Sequence, residues 1–371
     1  MIKVLNIITD KNIGGAGLAL TNFLKSANRE EFEHTVLLPP EAMLAPRLRA
    51  LGINVVEVPG VEDKSFDIHA IKVFKEQIKH FDPDIVHTHA SLSARIAARK
   101  IKTCAVVHTR HCAYRQSKLK TSFPIKQMLG FINNRYSDII IAVSPSARDT
   151  LIVTGTKPEK IVTMFNGVEA VRKLEEHEKL SVRNSLGIAP DDFVCAVVAR
   201  LVPEKGHEYI LDAASQLLDI PIVFLIVGSG PIEGHLRETA EKLQLKNCIF
   251  TGFIEDVAEI ENIADIQINA SIETETSSLS LLESMSLGIP AVVTDIGGNP
   301  YLINDGVNGL VVPAKSGQAL AEAVRKLYSS AEILSEMGKS AHEIYNQKYT
   351  AAVMAANIEQ VYRNVCKNKN N

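Results

Sequence analysis

Tryptophan is absent from the 371 residues, and aromatic side chains make up only 5% of them. Burial must therefore rest on aliphatic residues, which a 46% hydrophobic composition supplies for two domains of ordinary size. No apolar run reaches the length of about eighteen residues that a membrane-spanning helix requires. The five cysteines, Cys104, Cys112, Cys195, Cys248 and Cys366, stand at no paired or metal-ligand spacing. That excludes a disulfide framework or a zinc site as the leading reading and points to a reduced, cytosolic protein. The start, MIKVLNIIT, enters a strand-like run without a cleavable signal pattern, so the mature chain is expected to begin with the fold. Two nucleotide fingerprints are also missing. The GGAG at 14–17 lacks the glycine spacing of a dinucleotide-binding turn, and no phosphate loop ends in Lys-Ser or Lys-Thr. Neither an NAD enzyme nor a loop-type ATPase is supported.

Acidic residues are missing from one long stretch: residues 95–135 hold ten basic side chains and no Asp or Glu. This belongs to a wider asymmetry. Residues 1–167 carry 23 basic against 15 acidic side chains, a balance of +8, and residues 168–371 carry 17 against 28, a balance of −11. Two lobes with different partners are the natural reading. The basic segment includes Arg95, Arg99, Arg115, Lys118, Lys120, Lys126 and Arg135, interleaved with Tyr114, Phe123, Leu129 and Phe131. Anionic lipid, a phosphorylated acceptor, nucleic acid and a merely solvated face all fit that pattern.

What the chain does have is a rhythm. IKVLNII, HTVLLP, NVVEVP, DIVHTH, CAVVHT and DIIIAVS are short strands almost continuous in Val and Ile, as in parallel sheets buried on both faces. Helical segments separate them, as parallel crossovers demand. After IVTMFNGVE and a charged stretch the pattern restarts with FVCAVVA, a helix over 207–218, IVFLIVGSG, CIFTGF, DIQINAS, a helix holding Glu283, AVVTD and GLVVP. Met354, Ile358, Val361 and Val365 give the tail over 351–365 an apolar helical stripe. That helix either packs on its own lobe or crosses back to the first.

Several strand ends carry chemistry. Arg200 and Lys205 follow FVCAVVA across a Pro-containing turn, where two fixed cations would suit a diphosphate and surface pairing with Glu204 or Glu208 is the plain alternative. Gly228 and Gly230 form a tight turn after the next strand. In ETSSLSLLESMSLGIPAVVTD, Glu275 precedes a helix that Ser277 or Ser278 could cap, and Glu283 lies inside it. Amides at such a helix start favour an anion. The plain alternative leaves both carboxylates facing solvent. HTH at 87–89 and HTRH at 108–111 have no carboxylate or thiol at ligand spacing, so no metal is expected; His111 could instead donate to a sugar hydroxyl or be a satisfied strand-end histidine.

Taken together, RLVPEKG, VGSGP, the Glu-x7-Glu segment and the later GG turn resemble the family 4 retaining glycosyltransferases, over nearly the whole chain. The resemblance implies the α/β GT-B fold: two Rossmann-like parallel-sheet domains facing across a cleft. It places an acceptor-side domain at 1–167, with the C-terminal helix at about 351–366, and a nucleotide-sugar-binding domain at 168–350. It implies a UDP-sugar donor, with GDP-sugar as the alternative, and transfer to a hydroxyl of a glycan or lipid-linked acceptor in envelope polysaccharide or glycolipid synthesis. No metal or other cofactor is required, and nucleic acid is not an expected partner. Location is cytoplasmic, peripheral to an anionic membrane through 95–135. By resemblance Arg200 and Lys205 hold the diphosphate, Glu275 grips the donor sugar and Glu283 the ribose. Ser278, Leu279 and Ser280 lend amides, while Phe253 and Ile254 border the base. Gly15 lies near the phosphates, His111 is a donor-side histidine, and Asn166 with Gly167 forms the interlobe link. Two positions depart from the family pattern, Thr276 for a frequent glycine and Tyr301 for a frequent glutamate. A glycosidase using the two carboxylates, a nucleotide-sugar epimerase of the same fold and an inactive sugar- or nucleotide-binding regulator are the competing readings.

Overall fold

The computed structural model describes residues 1–61, 65–101, 104–113 and 117–370. It separates into two compact units, Met1–Val168 with Ala351–Asn371, and Glu169–Thr350.

The first unit is built on seven strands: β1 (Ile2–Ile8), β2 (Phe32–Leu38), β3 (Asn54–Glu57), β4 (Ile85–His89), β5 (Ala105–Arg110), β6 (Ile139–Ala142) and β7 (Ile161–Thr163). Every pairing is parallel, in the order β3-β2-β1-β4-β5-β6-β7. The central strands are buried along their length, β4 at all five positions, which explains their unbroken Val and Ile content. Helices cover both faces. One face buries Leu5, Ile7, Val86 and Val106 against Phe74 and Ile78; the other buries Val4, Ile8, Ile85 and Val107 against Phe23, Leu24 and the closing helix. That closing helix, Ala351–Asn370, sets Met354, Ile358, Val361, Tyr362 and Val365 into the first unit's core. Of the two places its apolar stripe allowed, it takes the first sheet. The Tyr362 hydroxyl reaches His87 Nδ1 at 2.7 Å, and its ring packs edge-on to Phe23.

The second unit has six parallel strands: β8 (Phe193–Val198), β9 (Ile222–Val227), β10 (Cys248–Gly252), β11 (Ile266–Asn269), β12 (Ala291–Thr294) and β13 (Gly309–Val312). Their order is β10-β9-β8-β11-β12-β13. The helix expected over 207–218 ends at Ser215, and residues 216–219 form a turn before Pro221 leads into β9. In each unit the order reverses between two central strands, β1/β4 and β8/β11. Such a switch point leaves a crevice at the carboxyl ends of the strands. Among the described residues no helix is long and apolar enough to cross a membrane, and none of the five cysteines is joined in a disulfide.

Candidate active site

The switch point of the second unit gathers the sequence-predicted cations and the first carboxylate. β8 ends at Val198 and leads into the loop carrying Arg200 and Lys205; β11 ends at Asn269 and leads into the loop carrying Glu275. Gly206 closes the first loop at φ +69°, and a Cβ there would strike the Ala270 carbonyl, so both conformation and space demand glycine. The amide of Ile272 donates to the Glu204 carbonyl at 2.9 Å and ties the loops together.

Glu275 is buried, at 8% exposure, rather than solvent-facing. Lys205 Nζ donates to its Oε2 at 2.7 Å, Asn269 Nδ2 to the same oxygen at 2.9 Å, and the Thr276 amide to Oε1 at 3.1 Å. Ser271 Oγ lies 3.0 Å from Oε2 and 2.7 Å from Asn269 Oδ1, and its single proton serves one of them at a time. Burial alone would raise the Glu275 carboxyl; Lys205, Asn269 and the Thr276 amide together outweigh it and hold the group below its usual value. Arg200 is exposed, and its side chain has no hydrogen bond or ion pair among the described residues. Lys205 is thus paired with Glu275, while the Arg200 side chain has no partner among the described residues.

Other expected residues lie on adjoining turns. Gly228 and Gly230 back onto the carbonyls of Ala199 and Leu201, where a Cβ would clash, so each glycine is required by the Arg200 loop itself. Gly298 likewise presses on the Thr276 carbonyl. Ser278 is the N-cap of the helix Leu279–Leu287, but the expected side-chain cap is not made; its Oγ meets Ser280 Oγ at 3.1 Å. The Ser278 side chain therefore gives the first-turn amides no acceptor. Phe253, just past β10, is 67% exposed, whereas Ile254 packs on the cluster around Ile188, Leu225 and Ile260.

Glu283, half-buried on the same helix, is pushed up to about 7 by burial, with the charge of Asp256 adding to it. Glu261 was not anticipated. It is fully buried on the neighbouring helix Ala258–Asn262, and neither carboxyl oxygen has a hydrogen-bond partner among the described residues. Burial, then the charges of Glu283 and Asp256, push it well above the carboxylate range. Asn269 and Ser271 were missed as well. The one available signal was their place at the end of a buried strand, since Asn and Ser are poor strand interiors.

In the first unit, Gly14 caps the helix Gly15–Ser26 without a side-chain bond, and a Cβ on Gly15 would meet nothing within 4 Å. Local structure does not require glycine at position 15. His111 Nε2 lies 2.9 Å from His89 Nδ1 with the rings stacked, and burial lowers His111 to about 4. Both histidines, Asn166 and Met354 line one small cavity. Of the basic segment, Arg95 is buried against Asn133 and Ser137, and Arg99 is paired with Asp138. These two serve the fold rather than the surface. Tyr114 and Arg115 lie outside the described residues. Among the described residues no group of three His, Cys, Asp or Glu side chains is assembled as a metal site.

The Glycosyltransferase Family 4 model matches residues 13–172, and the Glycosyl transferases group 1 model matches residues 178–344. The chain belongs to the family 4 glycosyltransferases. It is similar to the Escherichia coli UDP-Gal:alpha-D-GlcNAc-diphosphoundecaprenol alpha-1,3-galactosyltransferase, at 27% identity over 304 residues covering 77% of this chain and 76% of that one. It is also similar to the alpha-monoglucosyldiacylglycerol synthase of Acholeplasma laidlawii, at 27% identity over 354 residues and 86% of each chain. Among solved structures, Anabaena HepE in complex with UDP and glucose superposes with a TM-score of 0.85 at 20% identity, over 98% of this chain and all of that one. The shared architecture is the GT-B fold, as expected for a family 4 glycosyltransferase.

Proposed function

We propose that this glycosyltransferase moves a hexosyl unit from a UDP-sugar, with GDP-sugar as the alternative donor, to a hydroxyl of a lipid-linked or glycan acceptor, with retention of anomeric configuration. One observation carries the reading. At the β8/β11 switch point the half-buried Lys205 is paired with the buried Glu275, which Asn269 and the Thr276 amide also hold, and the loop that carries Lys205 also carries the unpaired Arg200. A glycosidase does not need such cations, whereas breaking a glycosyl phosphate bond builds charge on a diphosphate that they would neutralise.

Arg200 and Lys205 bind the departing diphosphate, and the first-turn amides of Ser278, Leu279 and Ser280 add to that field. Glu275, held ionised, accepts hydrogen bonds from the donor sugar. Glu283 contacts the ribose, Phe253 and Ile254 border the base, and Gly228 and Gly230 shape the turn behind Arg200. Gly15, His111 and Asn166 keep the roles that the resemblance gives them. The acceptor hydroxyl attacks the anomeric carbon on the face the diphosphate leaves, and the departing phosphate oxygen takes its proton. No covalent intermediate forms, and the two cations remove the need for a metal. The unit Glu169–Thr350 is the donor half and the first unit the acceptor half. The names of two relatives, one transferring from UDP-Gal to a diphosphoundecaprenol-linked sugar and one making a glycolipid, support a UDP donor and a lipid acceptor. A cytoplasmic location at an anionic membrane surface fits that acceptor.

A donor screen reading released nucleotide, with and without lipid-linked and soluble acceptors, tests the reading. Acceptor-dependent release that persists in EDTA is expected. Conversion of a donor alone to its epimer, or release only on addition of a divalent ion, would replace it.

A further inference from the structure

The helix Ile125–Tyr136 is seated through polar side chains and exposes large apolar ones. Its single fully buried residue is Gly130, seated so tightly on the Gly155 carbonyl that a Cβ would clash. The face around Gly130 is polar, and Ile125, Leu129, Ile132 and Tyr136 are half-buried along one flank. Asn133 accepts from Arg95 Nη1 at 3.1 Å and donates to Thr156 Oγ1 at 2.9 Å. Asn134 donates to the Gly155 carbonyl at 3.1 Å and accepts from the Lys157 amide at 2.9 Å. The outward face carries Met128 at 54% exposure and Phe131 at 63%. The approach to the helix adds Leu119 at 68% and Phe123 at 82%. A water-facing helix normally has the opposite arrangement. Four large apolar side chains stand exposed within thirteen positions, a concentration that calls for a covering surface.

The charges around the patch select the surface. Lys118, Lys120 and Arg135 are exposed and Lys126 is half-buried, in a stretch without any acidic side chain. A second copy docked through the same face would set like charge on like. An anionic bilayer supplies both an apolar interior and negative head groups.

We propose that residues 117–136 are a membrane-inserting wedge. Leu119, Phe123, Met128 and Phe131 enter the acyl boundary of an anionic leaflet, and Lys118, Lys120, Lys126 and Arg135 hold its phosphates. The wedge deepens the lipid-acceptor reading above and rests on it for its purpose, but not for its physics. Because the tight Gly130–Gly155 seat fixes the helix, the wedge is preformed.

The chain's lack of tryptophan makes the test direct. Full-length Phe131→Trp protein is mixed with vesicles of phosphatidylcholine alone or with about one-third phosphatidylglycerol, and the parent and Phe123→Ser/Phe131→Ser proteins are co-sedimented with the same vesicles. The expected result is a blue-shifted Trp emission quenched by brominated acyl chains only in the anionic vesicles. Binding should fall about tenfold or more in the double serine variant at low salt, and high salt should weaken the parent. Unshifted emission, unchanged binding of the serine variant, equal binding to both vesicle types, or self-association through this face without lipid would each overturn the wedge. Nucleotide release with a soluble acceptor separates the two proposals: if no acceptor supports transfer while the wedge inserts, the functional reading fails and the wedge stands.

Discussion

Lys205 and Arg200 sit five residues apart, yet substitution should affect them differently. Lys205→Ala leaves Glu275 buried without its counter-charge, so about 3 kcal/mol or more of stability is expected to go with it, and Lys205→Ala/Glu275→Gln should recover part of the loss. Arg200→Ala removes an exposed, unpaired side chain, so its stability should stay within about 0.5 kcal/mol of the parent while turnover falls roughly a hundredfold or more. Urea melts alongside initial rates check both, and a stable Arg200→Ala enzyme with parental turnover would refute the clamp. Glu261 offers a test of a different kind. Its folded carboxyl is raised above the unfolded one, so the native state holds the extra proton. Stability is then retained below the ordinary glutamate range and lost as pH rises through the folded value, with Glu283, at about 7, adding loss in the same direction. Glu261→Gln should therefore stabilise by about 1–3 kcal/mol at pH 8 and by almost nothing at pH 4. Melting temperatures across that range measure it.

Among elements, the strands were the most legible. Their Val- and Ile-rich runs betray burial on both faces, and parallel pairing follows from the helices between them. The motif-bearing turns were legible as positions but not as contacts. Nothing in the spacing of Lys205 and Glu275, seventy residues apart, announces a 2.7 Å bond, and the strand-end position of Asn269 does not say that it joins them. Such pairings are decided by strand order, which is a tertiary property. The helix 125–136 misleads in another way. Lys126 and Arg135 stand among apolar residues along it, and only the docked structure shows that its asparagines, not its phenylalanine, face Arg95 and the loop at 155–157. Gly130→Ala tests that docking: its Cβ must push the helix from the Gly155 carbonyl, at a cost of about 1–3 kcal/mol, read as a lowered melting temperature.

At the scale of the whole molecule, the closing helix was visible as an apolar stripe, but its destination was not. Periodicity says that a face must be buried, and the choice of sheet depends on Tyr362 meeting His87 and Phe23, more than 270 residues away. A chain ending at Thr350 should lose amide-exchange protection in β1, β4 and β5, which that helix covers, and keep it in β8–β13. Equal protection of both sheets in the shortened chain would show the helix to be dispensable.

The same feature dictates an order of events on the ribosome. The Glu169–Thr350 unit is one continuous stretch and can close as soon as it emerges. The earlier half cannot be finished until residues 351–371 leave the exit tunnel. The part made first thus matures last, and for the interval its uncovered sheet is where a chaperone would bind.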